Sequence, residues 1–87
     1  MRIGNARDLG GYVRDQRRAA GLNQTDLAAR AAVSRRWLSD LEAGKSTVEV
    51  GLVLRVISAL GQVVDVRPDP TTDFDLDDYL KRFGGAP

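Results

Sequence analysis

The sequence predicts a mainly α fold of four to five helices followed by one strand, on three observations. Apolar residues recur at three- and four-residue intervals through four successive windows. Side chains suited to helix caps stand before these windows at Asn5, Asn23, Ser34 and Ser46, and glycines follow three of them at 21, 44 and 61. A single β-branched run, Gln62-Val63-Val64-Asp65-Val66-Arg67, comes next and stops at Pro68.

The first helix is expected to start from Asn5, with Asp8 as the carboxylate partner of the cap, and to run to about Ala20. Its apolar side uses Leu9, Val13 and Ala20. Gly10 and Gly11 lie inside it, each costing about 1 kcal/mol relative to alanine, so the early turns are expected to fray or to press against another backbone.

Residues 21–45, GLNQTDLAARAAVSRRWLSDLEAGK, set two short amphipathic helices around a tight turn. Asn23 with Asp26 caps one helix, Ser34 caps the next, and Gly44 closes the pair. Leu27, Ala31, Val33, Leu38 and Leu41 fall on the core side, and Ala28 is small enough for close approach. Arg30, Arg35, Arg36 and Asp40 fall outside that face.

Ser46-Thr47-Val48-Glu49 reads as a capping box opening a fourth helix through about Leu60, with Leu52, Val53, Val56, Ile57 and Leu60 facing the core. A lone strand at 62–67 needs a partner for its backbone groups. With no second strand candidate in the chain, the simplest partner is the same strand of a second subunit around a two-fold axis; an extended tail laid on its own domain is the alternative. Beyond Pro68 comes a linker, then Phe74 to Phe83 (FDLDDYLKRF), a marginal helix expected to order only on docking. The chain thus divides into a domain at 5–67 and an acidic tail at 68–87.

Composition narrows the function. No cysteine or histidine is present, which excludes a disulfide framework, a zinc site of the usual ligands and His-based catalysis; no glycine-rich phosphate loop is present either. No cofactor is implied and no enzyme is expected. With no apolar run of membrane-spanning length and no apolar leader, a cytoplasmic protein is expected, without a membrane partner. The net charge of +1 hides an asymmetry: residues 1–46 hold nine Lys and Arg against five Asp and Glu, and residues 47–87 hold four against seven. A basic N-terminal part suits phosphates, and an acidic C-terminal part suits a different partner.

The 21–45 segment resembles the helix-turn-helix of phage repressors and Cro, the XRE family, in its Gly-Leu-Asn-Gln entry, Leu-Ala pair, Val-Ser turn and Glu-x-Gly exit. Two positions depart from that pattern: Ala32, where glycine is usual and where the resemblance implies a left-handed turn residue that costs a side chain with a Cβ about 1 kcal/mol, and Trp37, where a small polar residue is usual. The resemblance implies a lambda-repressor-like domain that binds double-stranded DNA, and an ion pair between Arg17 and Glu42. With the strand included, residues 5–67 look like the antitoxins of HipB type, whose strand builds a lid between subunits. That likeness implies a homodimer, repression of its own operon at an inverted-repeat operator, and a HipA-like kinase toxin as partner. A stand-alone XRE regulator, or a protein-interaction module that binds no DNA, is the alternative.

By the family's pattern, Ser34, Arg35, Arg36 and Ser39 are expected at base edges, where a guanidinium can read guanine. Asp40 would accept from cytosine or orient an arginine. Gln24, Thr25, Lys45 and Ser46 are expected at phosphates, and Trp37 along the sugar-phosphate backbone or against the first helix. Arg2 and Arg7 would add charge from the N-terminus. The strand residues Gln62, Val63, Val64, Asp65, Val66 and Arg67 are expected at the dimer axis. Phe74, Leu76, Tyr79, Leu80 and Phe83 are expected to face the toxin, or to fold back on the dimer or into solvent.

Overall fold

A computed structural model describes residues 2–70, and these form four helices: α1 (Ala6–Ala19), α2 (Gln24–Ala31), α3 (Arg35–Glu42) and α4 (Val50–Ala59). None of them is long and apolar enough to cross a membrane. The core is one cluster of Val13, Leu27, Ala28, Ala31, Leu38, Leu41, Val53, Val56 and Ile57, with Leu9, Leu22, Val33, Trp37, Val48, Ala59 and Leu60 packed around it. Each helix is too short to be stable alone, so burial of these apolar stripes holds all four together. α1 packs on α3, and α2 packs on both α3 and α4.

The helix ends follow from capping chemistry. Asn5 Oδ1 accepts from the Asp8 N–H (2.8 Å) at the start of α1, and Asp8 Oδ2 accepts from the Gly4 N–H (3.1 Å). At α2 the capping box is reciprocal: Asn23 Oδ1 accepts from Asp26 N–H at 2.8 Å, and Asp26 Oδ2 accepts from Asn23 N–H at 3.2 Å. Ser34 Oγ caps α3 through the Trp37 N–H at 3.0 Å. All four helices stop in the same way, with two N–H groups beyond the last turn returning to carbonyls inside it, as in Lys45 to Asp40 and Gly44 to Leu41, both 3.0 Å. Gly44 holds the required left-handed conformation (φ 90°) at the end of α3; at the end of α2 the same position is taken by Ala32 (φ 56°, ψ 46°).

Two expectations are corrected. The Ser46–Glu49 capping box does not form: Ser46 and Thr47 make a turn, α4 starts at Val50, and Glu49 is its N-cap without a side-chain cap bond. The physical reason is Val48, which packs against the core from the position before the cap and fixes the entry of the helix at Glu49. Ala20 is exposed rather than on the apolar side of α1, because the helix ends at Ala19 and the chain turns away through Gly21. The place of Ala20 on the buried face is taken by Arg17.

Gly10 explains how α1 meets α3. A Cβ there would overlap the carbonyl oxygens of Leu41 and Glu42, lying 2.8 Å from the latter, whereas a Cβ on Gly11 would meet open space. Backbone thus presses on backbone at the C-terminal end of α3. The neighbouring glycines therefore predict opposite responses. Gly11→Ala gains about 1 kcal/mol from helix propensity, and Gly10→Ala loses about 1–3 kcal/mol from overpacking; thermal unfolding of the two variants checks this. Ala32→Gly relieves about 1 kcal/mol of left-handed strain and, after the extra freedom of the unfolded chain is deducted, stabilises by no more than about 0.6 kcal/mol in the same measurement.

Candidate nucleic-acid interface

α3 divides lengthwise. At about 100° per residue, Leu38, Leu41 and Glu42 fall within one sector of α3 and Arg35, Arg36 and Ser39 within the adjoining one; the first three are buried and the second three exposed. Neither Arg35 nor Arg36 has an ion-pair partner among the described residues, so both guanidiniums are available to a ligand. They lie in the first helical turn, where the backbone N–H groups of Arg35 and Arg36 have no intrahelical acceptor and the helix dipole favours an anion. A three-residue turn, 32–34, separates this helix from α2.

The other residues expected at the interface surround this face unevenly. Ser34 is exposed, and its Oγ is engaged by the Trp37 N–H. Thr25 and Ser46 are exposed at the head of α2 and in the turn after α3. Lys45 lies 3.7 Å from Asp40, both half-exposed, so the acidic residue beside the arginine face is matched by a cation. Trp37 is half-buried and packs against the core cluster. Gln24 points inward: its Nε2 donates to Glu42 Oε1 at 3.3 Å. Arg7 is exposed beside the end of α3, its Cα 3.1 Å from where a Gly44 Cβ would be. Arg2 is engaged elsewhere, in a two-bond pair with Asp69 at 2.8 Å for each bond.

What holds α3 in place is a buried ion pair. Arg17 Nε donates to Glu42 Oε2 and Arg17 Nη2 to Glu42 Oε1, both at 2.8 Å, and Arg17 Nη1 donates to the Leu22 carbonyl at 3.0 Å. The side chains are only 10% and 4% exposed. The pair thereby joins α1, the loop before α2 through the Arg17 guanidinium, α2 through Gln24, and α3. The hydrogen bonds to Glu42 raise the Arg17 pKa above its ordinary value, against the opposing effect of burial. A raised arginine pKa adds stability at every pH below the unfolded value and loses it only as the pH passes the folded one, so Arg17 brings no pH dependence to the neutral range.

The 62–69 segment follows α4 along α1. Gln62 bonds to two α1 side chains: its Oε1 accepts from the Tyr12 hydroxyl and its Nε2 donates to Gln16 Oε1 at 2.7 Å. Residues 63–69 carry no secondary structure within the single chain, and the backbone groups of Val63, Val64 and Val66 have no partner among the described residues. Their side chains stay exposed, Val63 and Val66 at 88% each. With Ile3, Val50 and Leu54 they line an open groove of about 890 Å³ between this segment, the N-terminus and α4. Asp65 and Arg67 pair with each other at 2.7 Å. Phe74, Leu76, Tyr79, Leu80 and Phe83 lie outside the described residues. Sequence reasoning passes over Tyr12 and Gln16. Their i, i+4 spacing marks a shared face of α1, but nothing local points to Gln62, fifty positions after Tyr12.

Known proteins share this fold. A family model described as a helix-turn-helix domain matches residues 8–69. A relative from Sinorhizobium fredii (strain NBRC 101917 / NGR234), described as an uncharacterized HTH-type transcriptional regulator y4mF, is 43% identical over 65 residues, which span 75% of this chain and 86% of the relative. Among solved structures, one described as a HipB-O4 20mer complex matches with a TM-score of 0.73 at 15% identity, covering 78% of this chain and 96% of the other. A second, described as MDT Protein, gives the same score, identity and coverage. At that identity the likeness establishes the shared fold.

The buried pair sets a testable asymmetry. Arg17→Met or Glu42→Leu alone leaves one buried charge without its partner and costs about 3–5 kcal/mol, and the double substitution costs less than either. Chemical denaturation of the four proteins in the cycle checks it.

Proposed function

The chain belongs to the helix-turn-helix domain family, a family of DNA-binding transcriptional regulators and not of enzymes, and we propose that within it this chain is a dimeric, sequence-specific repressor. The observation that carries this reading is the exposed side of α3, where Arg35, Arg36 and Ser39 stand together with neither guanidinium paired among the described residues. A helix fits the major groove of a duplex, and an arginine there can donate two hydrogen bonds to the O6 and N7 of guanine, worth about 1–3 kcal/mol of discrimination. Ser34 joins them at base edges. Thr25, Trp37, Lys45, Ser46 and the head of α2 at Gln24 hold phosphates and fix the register. The inward bond of Gln24 to Glu42 supports a backbone-positioning role for that residue over a reading one.

The dimer reading rests on segment 62–67. The backbone groups of Val63, Val64 and Val66, without partners among the described residues, and the exposed valine side chains are what a strand needs to pair with its symmetric copy, and pairing satisfies the groups and covers the groove together. Two reading helices then reach half-sites spaced roughly 34 Å apart on an inverted repeat. The finer reading is an antitoxin that represses its own operon and binds a HipA-like kinase toxin through the tail residues Phe74, Leu76, Tyr79, Leu80 and Phe83. The fold shared with the HipB structures supports it. A regulator with no toxin partner is the second reading, favoured by the description of the relative from Sinorhizobium.

Selection from a library of random duplexes tests the main reading. The wild-type chain recovers an inverted repeat, and its affinity falls steeply as salt rises, because each phosphate it neutralises releases a counterion. Arg35→Ala and Arg36→Ala abolish selective binding without shifting the unfolding midpoint, since both side chains are exposed. An enrichment of no sequence, or arginine variants that bind as the wild type does, rejects this assignment of α3. Purification of the native protein from its own cells with whatever it retains decides between antitoxin and lone regulator by the presence of a kinase.

A further inference from the structure

Gln62 is the first residue of the segment assigned above to the dimer axis, and both ends of its carboxamide are used. The oxygen accepts from the Tyr12 hydroxyl, and the nitrogen donates to Gln16 Oε1 at 2.7 Å. Its backbone N–H is used as well, returning to the Ile57 carbonyl at 3.1 Å to close α4. Tyr12 and Gln16 are one helical turn apart on α1, so a donor and an acceptor stand side by side, matched to the oxygen and the nitrogen of one amide. Such a match fixes the orientation of the amide plane as well as its position.

The far end of the segment is held by the two-bond pair between Arg2 and Asp69. Between these two ties the chain carries Val63, Val64 and Val66 outward. α1, to which the segment is tied, is itself locked to the reading helix at Gly10 and through the Arg17–Glu42 pair. A continuous rigid path therefore runs from the segment to α3: Gln62, then Tyr12 and Gln16, then α1, then the backbone of Leu41 and Glu42.

We propose that Tyr12, Gln16 and Gln62 form a latch that sets the angle between the dimer segment and the reading helix, and so selects the spacing between half-sites that the protein accepts on DNA. The inference rests on the dimer reading above. In it Tyr12 and Gln16 are positioning residues that act through their bonds to Gln62. With the latch closed, the two reading helices have one separation and one relative rotation. Without it the segment still pairs with its copy but swivels on α1, and several separations become accessible. Changing the spacer by two base pairs moves one half-site by about 7 Å and turns it by about 70°, which a rigid dimer does not follow. Engagement of both half-sites then fails, and avidity disappears with it.

The experiment uses the full chain and a duplex selected by the wild type from a random library, together with versions whose central spacer is two base pairs longer or shorter, and a single half-site. Tyr12→Phe removes only the hydroxyl, and Gln16→Ala places a strong helix former on α1; both leave segment 62–67 unaltered. Wild type and variants are expected to have equal dimeric mass in sedimentation and equal affinity for the single half-site. On the altered spacers the wild type loses about tenfold or more in affinity, whereas the variants lose less than about threefold, the avidity difference between a rigid and a swivelling dimer. Equal spacer penalties for wild type and variants overturn the latch and leave the dimer standing. A monomeric wild type overturns both, and a variant that is monomeric while the wild type is dimeric overturns the spacing role by showing that the latch serves assembly.

Discussion

The bond between Arg17 and Glu42 is the constraint on which the rest of the domain depends. A hydrophobic cluster of nine residues supplies the drive to collapse, but apolar packing tolerates sliding and does not by itself define where α3 sits. A two-bond ion pair shielded from solvent does define it, because a shift of an ångström leaves a charge without compensation in a medium that penalises it heavily. The same carboxylate receives Gln24, and the same guanidinium reaches the Leu22 carbonyl. Four segments are thereby referred to one point. Gly10 completes the constraint from the other side of the contact by letting α1 lie directly on the last carbonyls of α3.

That arrangement is also what frees the adjoining side of α3. Because Leu38, Leu41 and Glu42 take up the inward positions, Arg35, Arg36 and Ser39 have nowhere to go but solvent. The division of labour in an eight-residue helix is strict, and it shows in the burial of an acidic side chain where an apolar one would pack as well. A leucine at position 42 would bury comparable area. It would not orient anything.

Much of this is legible in the order of residues, and the reason is locality. Asn5, Asn23 and Ser34 announce helix starts because a cap bonds to an amide three residues away. The left-handed Ala32 is legible only through the family resemblance, whose turn has a glycine at that position. Leu27, Leu38, Leu41, Val53, Val56 and Ile57 are legible from their period. What escapes reading depends on residues far apart. The local pattern at Ser46 fits a capping box, whereas burial of Val48 against side chains from other helices decides where α4 begins. The meeting of Tyr12, Gln16 and Gln62 escapes for the same cause, as does the choice of Gly10 over Gly11 as the point of contact. Arg17 and Glu42 come from resemblance to a family, not from spacing, since nothing within either helix points to the other.

The chain contains a single tryptophan, and the fold puts it in the first turn of α3, half in the core and half in water. An indole at such a boundary emits light whose colour and yield follow the polarity around it. The molecule therefore carries an intrinsic optical gauge at the spot where a duplex would sit, and its glow registers both the loss of the core and the arrival of a ligand without any dye being attached.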